Sequence, residues 1–80
     1  MELRVLEYFL ALTREGSISA AAKALNVSQP TLSRQLIDLE HELGCTLFER
    51  SKQGITLTED GMILRRRAGE ISQLVHTTES

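Results

Sequence analysis

The run Ser28-Gln29-Pro30-Thr31-Leu32-Ser33-Arg34-Gln35 constrains this chain more than any other stretch. It opens a helix: Ser28 offers a side-chain oxygen for the N-cap, and Pro30 falls in the first turn, where a missing N–H costs nothing. Leu32, Leu36, Leu39 and Leu43 then recur at i, i+4, i+7 and i+11, which predicts one buried stripe. At about 100° per residue, Pro30, Ser33 and Arg34 point the other way, and Gln29 lies at the exposed tip. Arg and Gln carry the fork and amide geometries that pair with guanine and adenine edges, and Ser serves either. A helix with a dry back and this polar front suits entry into a DNA major groove.

The residues before it extend the argument. Ser17-Ile18-Ser19 opens a short helix in which Ile18, Ala22 and Leu25 fall at i, i+4 and i+7. The run Ala20-Ala21-Ala22 keeps that helix thin, so a second helix can cross it closely. Asn26-Val27 makes the connection, with Val27 plugging the corner and Ser28 starting the next helix. Two short helices joined by such a turn form a helix-turn-helix, whose second helix is the reader. An ordinary helical hairpin shows the same spacing, so on geometry alone both readings stand.

The flanking segments read as a further helix, a hairpin and a last helix. Leu3 to Glu15 carries two apolar rows, Leu3, Leu6, Leu10 and Val5, Phe9, Leu12, with Tyr8 at their rim. That face is wider than a small core covers, so part of it is expected to pack on the last helix, from the same chain or a partner. Gly44 is a C-cap. Leu47 to Arg50 and Ile55 to Thr58 read as two short strands around Ser51-Lys52-Gln53-Gly54, where Gly54 supplies positive φ and Lys52 stands at the tip. Thr58 caps the final helix, with Glu59 and Asp60 suited to its dipole. Leu64, Ala68, Ile71 and Val75 follow at i, i+4, i+7 and i+11, a stripe with little to cover it beyond the first helix.

The ordered set Ala21-Ala22, Leu25, Val27-Ser28-Gln29-Pro30, Leu32-Ser33, Leu39-Glu40, Leu43-Gly44, Leu47-Phe48, Arg50 and Leu57-Thr58-Glu59 with Gly61 resembles the LysR-type transcriptional regulators. The resemblance runs from about Leu3 to beyond Gly61. It implies an all-α fold with a small β-hairpin: a winged helix-turn-helix over residues 1–58, followed by a long linker helix over 59–80 that joins subunits. It also implies sequence-specific binding of double-stranded promoter DNA as a dimer or tetramer. The expected DNA-binding residues are Ser28, Gln29, Pro30, Thr31, Ser33 and Arg34 on the reading helix, with Arg50, Lys52 and Gln53 on the wing. LysR-type relatives often carry Arg where Gln53 stands, which makes Lys52 the substitute for a minor-groove or backbone contact. Leu64, Ala68, Ile71 and Val75 are the expected dimerisation residues; Arg65-Arg66-Arg67 on the same helix reads as a solvated face. In the family a ligand-sensing domain follows, so a small-molecule effector is expected only for that C-terminal part.

Charge argues against the reading only at first sight. The formal net charge is −2 and the pI about 5.6, whereas a DNA-binding module is usually basic. Position outweighs the sum: from Ser17 to Ile37 there is no acid, while Lys23 and Arg34 are present. Asp38, Glu40 and Glu42 come later and would repel phosphate, which limits deep contact to the front half of the helix. There the helix dipole adds partial positive charge.

Other classes fare poorly. His41 and His76 lack Cys or carboxylate partners at metal-ligand spacing, and no Gly-rich phosphate loop occurs, so neither metal, cofactor nor enzyme activity is expected. Cys45 is the only cysteine, which excludes an intrachain disulfide and suits a small structural side chain. No apolar run reaches membrane-spanning length and Met1-Glu2-Leu3-Arg4 lacks a signal-peptide pattern, so a cytoplasmic location is expected. The rival of substance is a helix-turn-helix that docks proteins through its apolar faces and ignores nucleic acid.

Overall fold

Capping residues divide the chain where their local chemistry demands. The computed structural model describes residues 1–79; Ser80, the last residue of the expected linker helix, lies outside the described residues. Helix α1 (Leu3–Glu15) stops at Gly16, whose φ of 86° lets its N–H return to the Leu12 carbonyl. Helix α2 (Ile18–Leu25) starts under Ser17, whose Oγ accepts from the Ala20 N–H at 3.1 Å. It ends at Asn26, a residue type that tolerates the left-handed φ of 59° found there. Helix α3 (Gln29–Leu43) is capped by Ser28 and closed by Gly44. The hairpin β1 (Phe48–Ser51) and β2 (Gly54–Leu57) follows, then α4 (Glu59–Glu79).

The core sits where α1, α2 and α3 cross. Val5, Phe9 and Leu12 meet Ile18, Ala21 and Ala22, with Leu32, Leu36 and Leu39 of α3 beneath and Leu47 and Phe48 closing the side. Phe9, Leu12, Leu32, Leu36 and Leu47 are the largest fully buried side chains, each contributing about 1.5–3 kcal/mol by burial. The alanines Ala21 and Ala22 are buried and Ala20 is half-buried, consistent with a thin α2 crossed at close range.

Two expectations about burial are corrected. Leu43 continues the α3 stripe in register but is exposed, because the core reaches only to Leu39 while a 15-residue helix runs on for about 22 Å. Leu3 is likewise exposed at the opposite end of α1.

The hairpin is also displaced from its expected bounds, by one residue toward the tip on each strand. Phe48 pairs with Leu57, Glu49 with Thr56, Arg50 with Ile55 and Ser51 with Gly54. The base is only half paired: the Thr58 N–H donates to the Leu47 carbonyl at 3.0 Å, but no bond returns. The Leu47 N–H donates to a Glu40 carboxylate oxygen at 2.7 Å, and Thr58 is committed to capping α4. Its Oγ1 accepts from the Gly61 N–H at 3.0 Å and donates to the Thr46 carbonyl at 2.6 Å. Glu40, one of the late acids expected to repel phosphate, is thus half-buried and structural.

The surplus face of α1 is covered by α4 of the same chain. Leu6, Ala11 and Ala68 are buried outside the main cluster, on two helices that pack together, and Ser72 Oγ donates to Glu7 Oε1 at 2.7 Å across that contact. Gly61, also buried, lies so close to the Leu47 carbonyl that a Cβ there would overlap it.

Candidate nucleic-acid interface

The front of α3 faces solvent as its periodicity requires. Ser28, Gln29, Pro30, Thr31 and Arg34 are exposed and Ser33 is half-buried, while Leu32 and Leu36 behind them are fully buried. Ser28 Oγ accepts from the Thr31 N–H at 3.2 Å and donates to Thr31 Oγ1 at 2.8 Å, so this cap fixes the helix entry. With Pro30 lacking an N–H and the Thr31 N–H held by Ser28, Gln29 carries the one first-turn N–H without such a partner among the described residues, at the positive end of the dipole.

The wing stands beside this front and is tied to it. The Arg50 guanidinium on β1 donates to Ser33 Oγ on α3, joining two expected site residues directly. On the paired strand, directly opposite Arg50, the Ile55 N–H donates to the Gly16 carbonyl at 2.9 Å. Gly54 has φ of 130°, and a Cβ on it would collide with that same carbonyl, so glycine is required on two counts. Lys52 and Gln53 form the exposed tip; the Gln53 backbone N–H donates to Ser51 Oγ at 3.3 Å. Glu49 alternates to the other face of the strand from Arg50.

The charges sort themselves by location. Arg4, Arg14 and Arg67 each have a carboxylate partner, whereas among the described residues no ion pair holds Arg34 or Lys52. Two of the three late acids are engaged: Glu42 with the Met1 ammonium at 2.6 Å and Glu40 with Leu47. Asp38 alone of the three is left facing outward without such a partner among the described residues.

The expected dimerisation residues divide. Ala68 is buried and Leu64 packs against the core, so both serve within the chain. Ile71 is exposed and Val75 half-buried. Ile63 and Leu74, which the stripe omitted, are exposed on the adjoining side of α4, Leu74 by 68%.

Cys45 is half-buried; burial first, then the Asp60 and Glu40 carboxylates, push its thiol pKa up, which disfavours the reactive thiolate. Among the described residues no cluster of three or more His, Cys, Asp or Glu is placed to hold a metal, and no helix is long and apolar enough to cross a membrane.

Sequence reasoning missed the Arg50–Ser33 tie, the Glu40–Leu47 bond and the reason for Gly61. Only the last left a trace. A glycine early in a helix costs about 1 kcal/mol, and a close approach is the usual reason to accept it.

Known proteins share both the sequence and this architecture. The model of the bacterial regulatory helix-turn-helix proteins of the lysR family matches residues 3–62. The transcriptional regulator ClcR of Pseudomonas putida is 46% identical over 79 residues, covering 99% of this chain and 26% of ClcR. BsdA of Bacillus subtilis (strain 168) is 49% identical over 72 residues, covering 89% of this chain and 25% of BsdA. This chain thus spans about a quarter of the length of these curated relatives. Among solved structures, the DNA-binding domain of CbnR in complex with DNA superimposes with a TM-score of 0.93 at 44% identity, covering 99% of this chain and 91% of that one. The BenM DNA-binding domain on its benA site 1 DNA gives 0.84 at 40% identity, covering 99% and 96%. With its four helices, its hairpin wing and these matches, the chain belongs to the lysR family of bacterial regulatory helix-turn-helix proteins.

Proposed function

We propose that this chain binds double-stranded promoter DNA sequence-specifically, as the DNA-binding part of a cytoplasmic LysR-type regulator. The observation that carries the reading is the front of α3: capped, free of acid up to Ile37, fully backed by core, and flanked by a wing that Arg50 ties to Ser33. DNA complexes of CbnR and BenM share this architecture, and the matched relatives are named transcriptional regulators, not enzymes.

In this reading residues 1–58 form the winged helix-turn-helix and 59–80 the linker and dimerisation helix. Gln29, Pro30, Ser33 and Arg34 meet base edges, and Ser28 and Thr31 sit at the phosphate-facing helix entry. Arg50, Lys52 and Gln53 follow the backbone or minor groove beside them. Two copies read two half-sites, and the small-molecule effector belongs to a separate ligand-sensing domain.

Binding to duplex DNA is expected to weaken steeply with salt, because each phosphate contact releases condensed counterions and adds about −0.9 to the slope of log K against log salt. A slope of about −2 or steeper supports the reading. Equal affinity at low and high salt would count against this mechanism.

The division between base and backbone contacts has its own test. Arg34→Ala and Gln29→Ala should each cost roughly 1–3 kcal/mol on the preferred site and flatten preference at one base pair. Lys52→Ala should weaken all sequences alike. If Arg34→Ala lowered every sequence equally, Arg34 would be a phosphate contact and the assignment wrong.

A further inference from the structure

One side chain on the outer face of α3 has no folding role. Ile37 is 43% exposed, yet it lies one turn beyond Ser33 and three residues beyond Arg34. At about 100° per residue its direction falls between those two, well away from the Leu32, Leu36 and Leu39 stripe. Pro30, Ser33, Arg34, Ile37 and Asp38 together line an open concavity of about 340 Å³ on this face. Much of this apolar side chain is left open on the face that carries Ser33 and Arg34, at the last outward position before the acid Asp38.

We propose that Ile37 is a specificity residue that reads the 5-methyl group of a thymine in the major groove. The inference rests on the DNA-binding reading above and deepens it. Among base edges in the major groove, the thymine methyl is the one apolar feature, and an aliphatic side chain is its complement. Ile37 stands about 4.5 Å from Arg34 along the helix axis, against roughly 3.4 Å per base pair. With both side chains on one face within one turn, Arg34 addresses a guanine and Ile37 a thymine close to it, on either strand. Asp38, next on the same face, disfavours phosphate nearby, so Ile37 marks where base contact ends.

The experiment uses the chain as it stands. Preferred duplexes are selected from random sequence, and each thymine of the selected site is then replaced, one at a time, by uracil, which lacks only the methyl. Affinities are measured for the parent chain and for Ile37→Ala, with circular dichroism confirming that the exposed substitution leaves the fold intact. One thymine should stand out: its replacement costs the parent about fourfold, the affinity of one buried methyl, and costs Ile37→Ala nothing. The remaining thymines should behave alike in both proteins. Salt-dependent binding in which no thymine distinguishes the parent from Ile37→Ala would overturn the Ile37 assignment and leave the DNA reading standing. Absence of salt-dependent duplex binding would overturn both.

Discussion

Gly61→Ala should unfold much of this domain's stability, and Gly69→Ala, eight residues along the same helix, should raise it. Both are helical glycines, so propensity alone favours alanine at each by about 0.8–1 kcal/mol. Space separates them. Around Gly69 nothing lies within 4 Å of an added Cβ. At Gly61 the Cβ would fall inside the Leu47 carbonyl, with the Leu57 side chain also close. That carbonyl cannot retreat freely, because it accepts from the Thr58 N–H at 3.0 Å while the Leu47 N–H is held by Glu40. Relief requires α4 to lift off or the base of the hairpin to open, breaking that bond and exposing Leu47. Overpacking and a lost buried hydrogen bond together amount to about 2–4 kcal/mol net of propensity. In a domain this small, that lowers Tm by on the order of 10–25 °C. Gly69→Ala should gain roughly 0.5–1 kcal/mol. Thermal melts of the two variants decide it; a Gly61→Ala protein as stable as the parent would mean that α4 does not seat on Leu47 as described.

The second large effect concerns assembly. Ile71 and Leu74 form an exposed apolar pair on α4, with Ile63 two turns earlier beyond the Arg67–Glu70 ion pair, beside Leu64 and Ala68, which the chain's own packing takes up. This pair is the surface expected to make a self-complementary contact between two copies related by a two-fold axis. Linking two reading helices makes the second binding event intramolecular, a gain on the order of 10²–10⁴ in affinity for a full site. Ile71→Asp with Leu74→Asp should therefore give monomers and weaken binding to an interrupted palindrome by about 10²-fold or more. Binding to a half-site should change little. Both side chains are exposed within the chain, so the helix-turn-helix keeps its fold. Sedimentation of the parent tests the premise: a strict monomer at high concentration, with or without DNA, would remove the dimer.

What the sequence disclosed was local. Ser28, Thr58 and Gly44 act as caps where their types and neighbours placed them, and Leu32, Leu36 and Leu39 are buried as their spacing required. These features depend on hydrogen bonds and periodicity within one or two turns. What stayed hidden depends on residues far apart in the chain. Regular pairing stops at Phe48 and Leu57 because the Leu47 N–H turns to Glu40, leaving one bond, from the Thr58 N–H to the Leu47 carbonyl, at the base. Leu43 and Leu3 obeyed the pattern of their helices but lay beyond the reach of the core. The stripe on α4 was legible as an apolar stripe. That α1 would take its Ala68 from inside the chain, leaving Ile71 and Leu74 outside, was settled by packing alone.

The two ties on the hairpin, Arg50 to Ser33 and Ile55 to Gly16, have a mechanical consequence. A wing anchored through one strand only is a hinged arm that can swing about that strand. Held through both strands of the Arg50–Ile55 pair, it is expected to act as the second jaw of a caliper whose other jaw is α3, with its opening largely set before DNA arrives. Little freedom remains to be frozen on contact, so complex formation forfeits less entropy than an adaptable loop would. Any mismatch in groove spacing should then fall on the nucleic acid, so the expected preference at the margin of the site is for flexible pyrimidine–purine steps, which yield most easily. A protein with few side chains in reach of bases would in this way discriminate by stiffness as well as by contact.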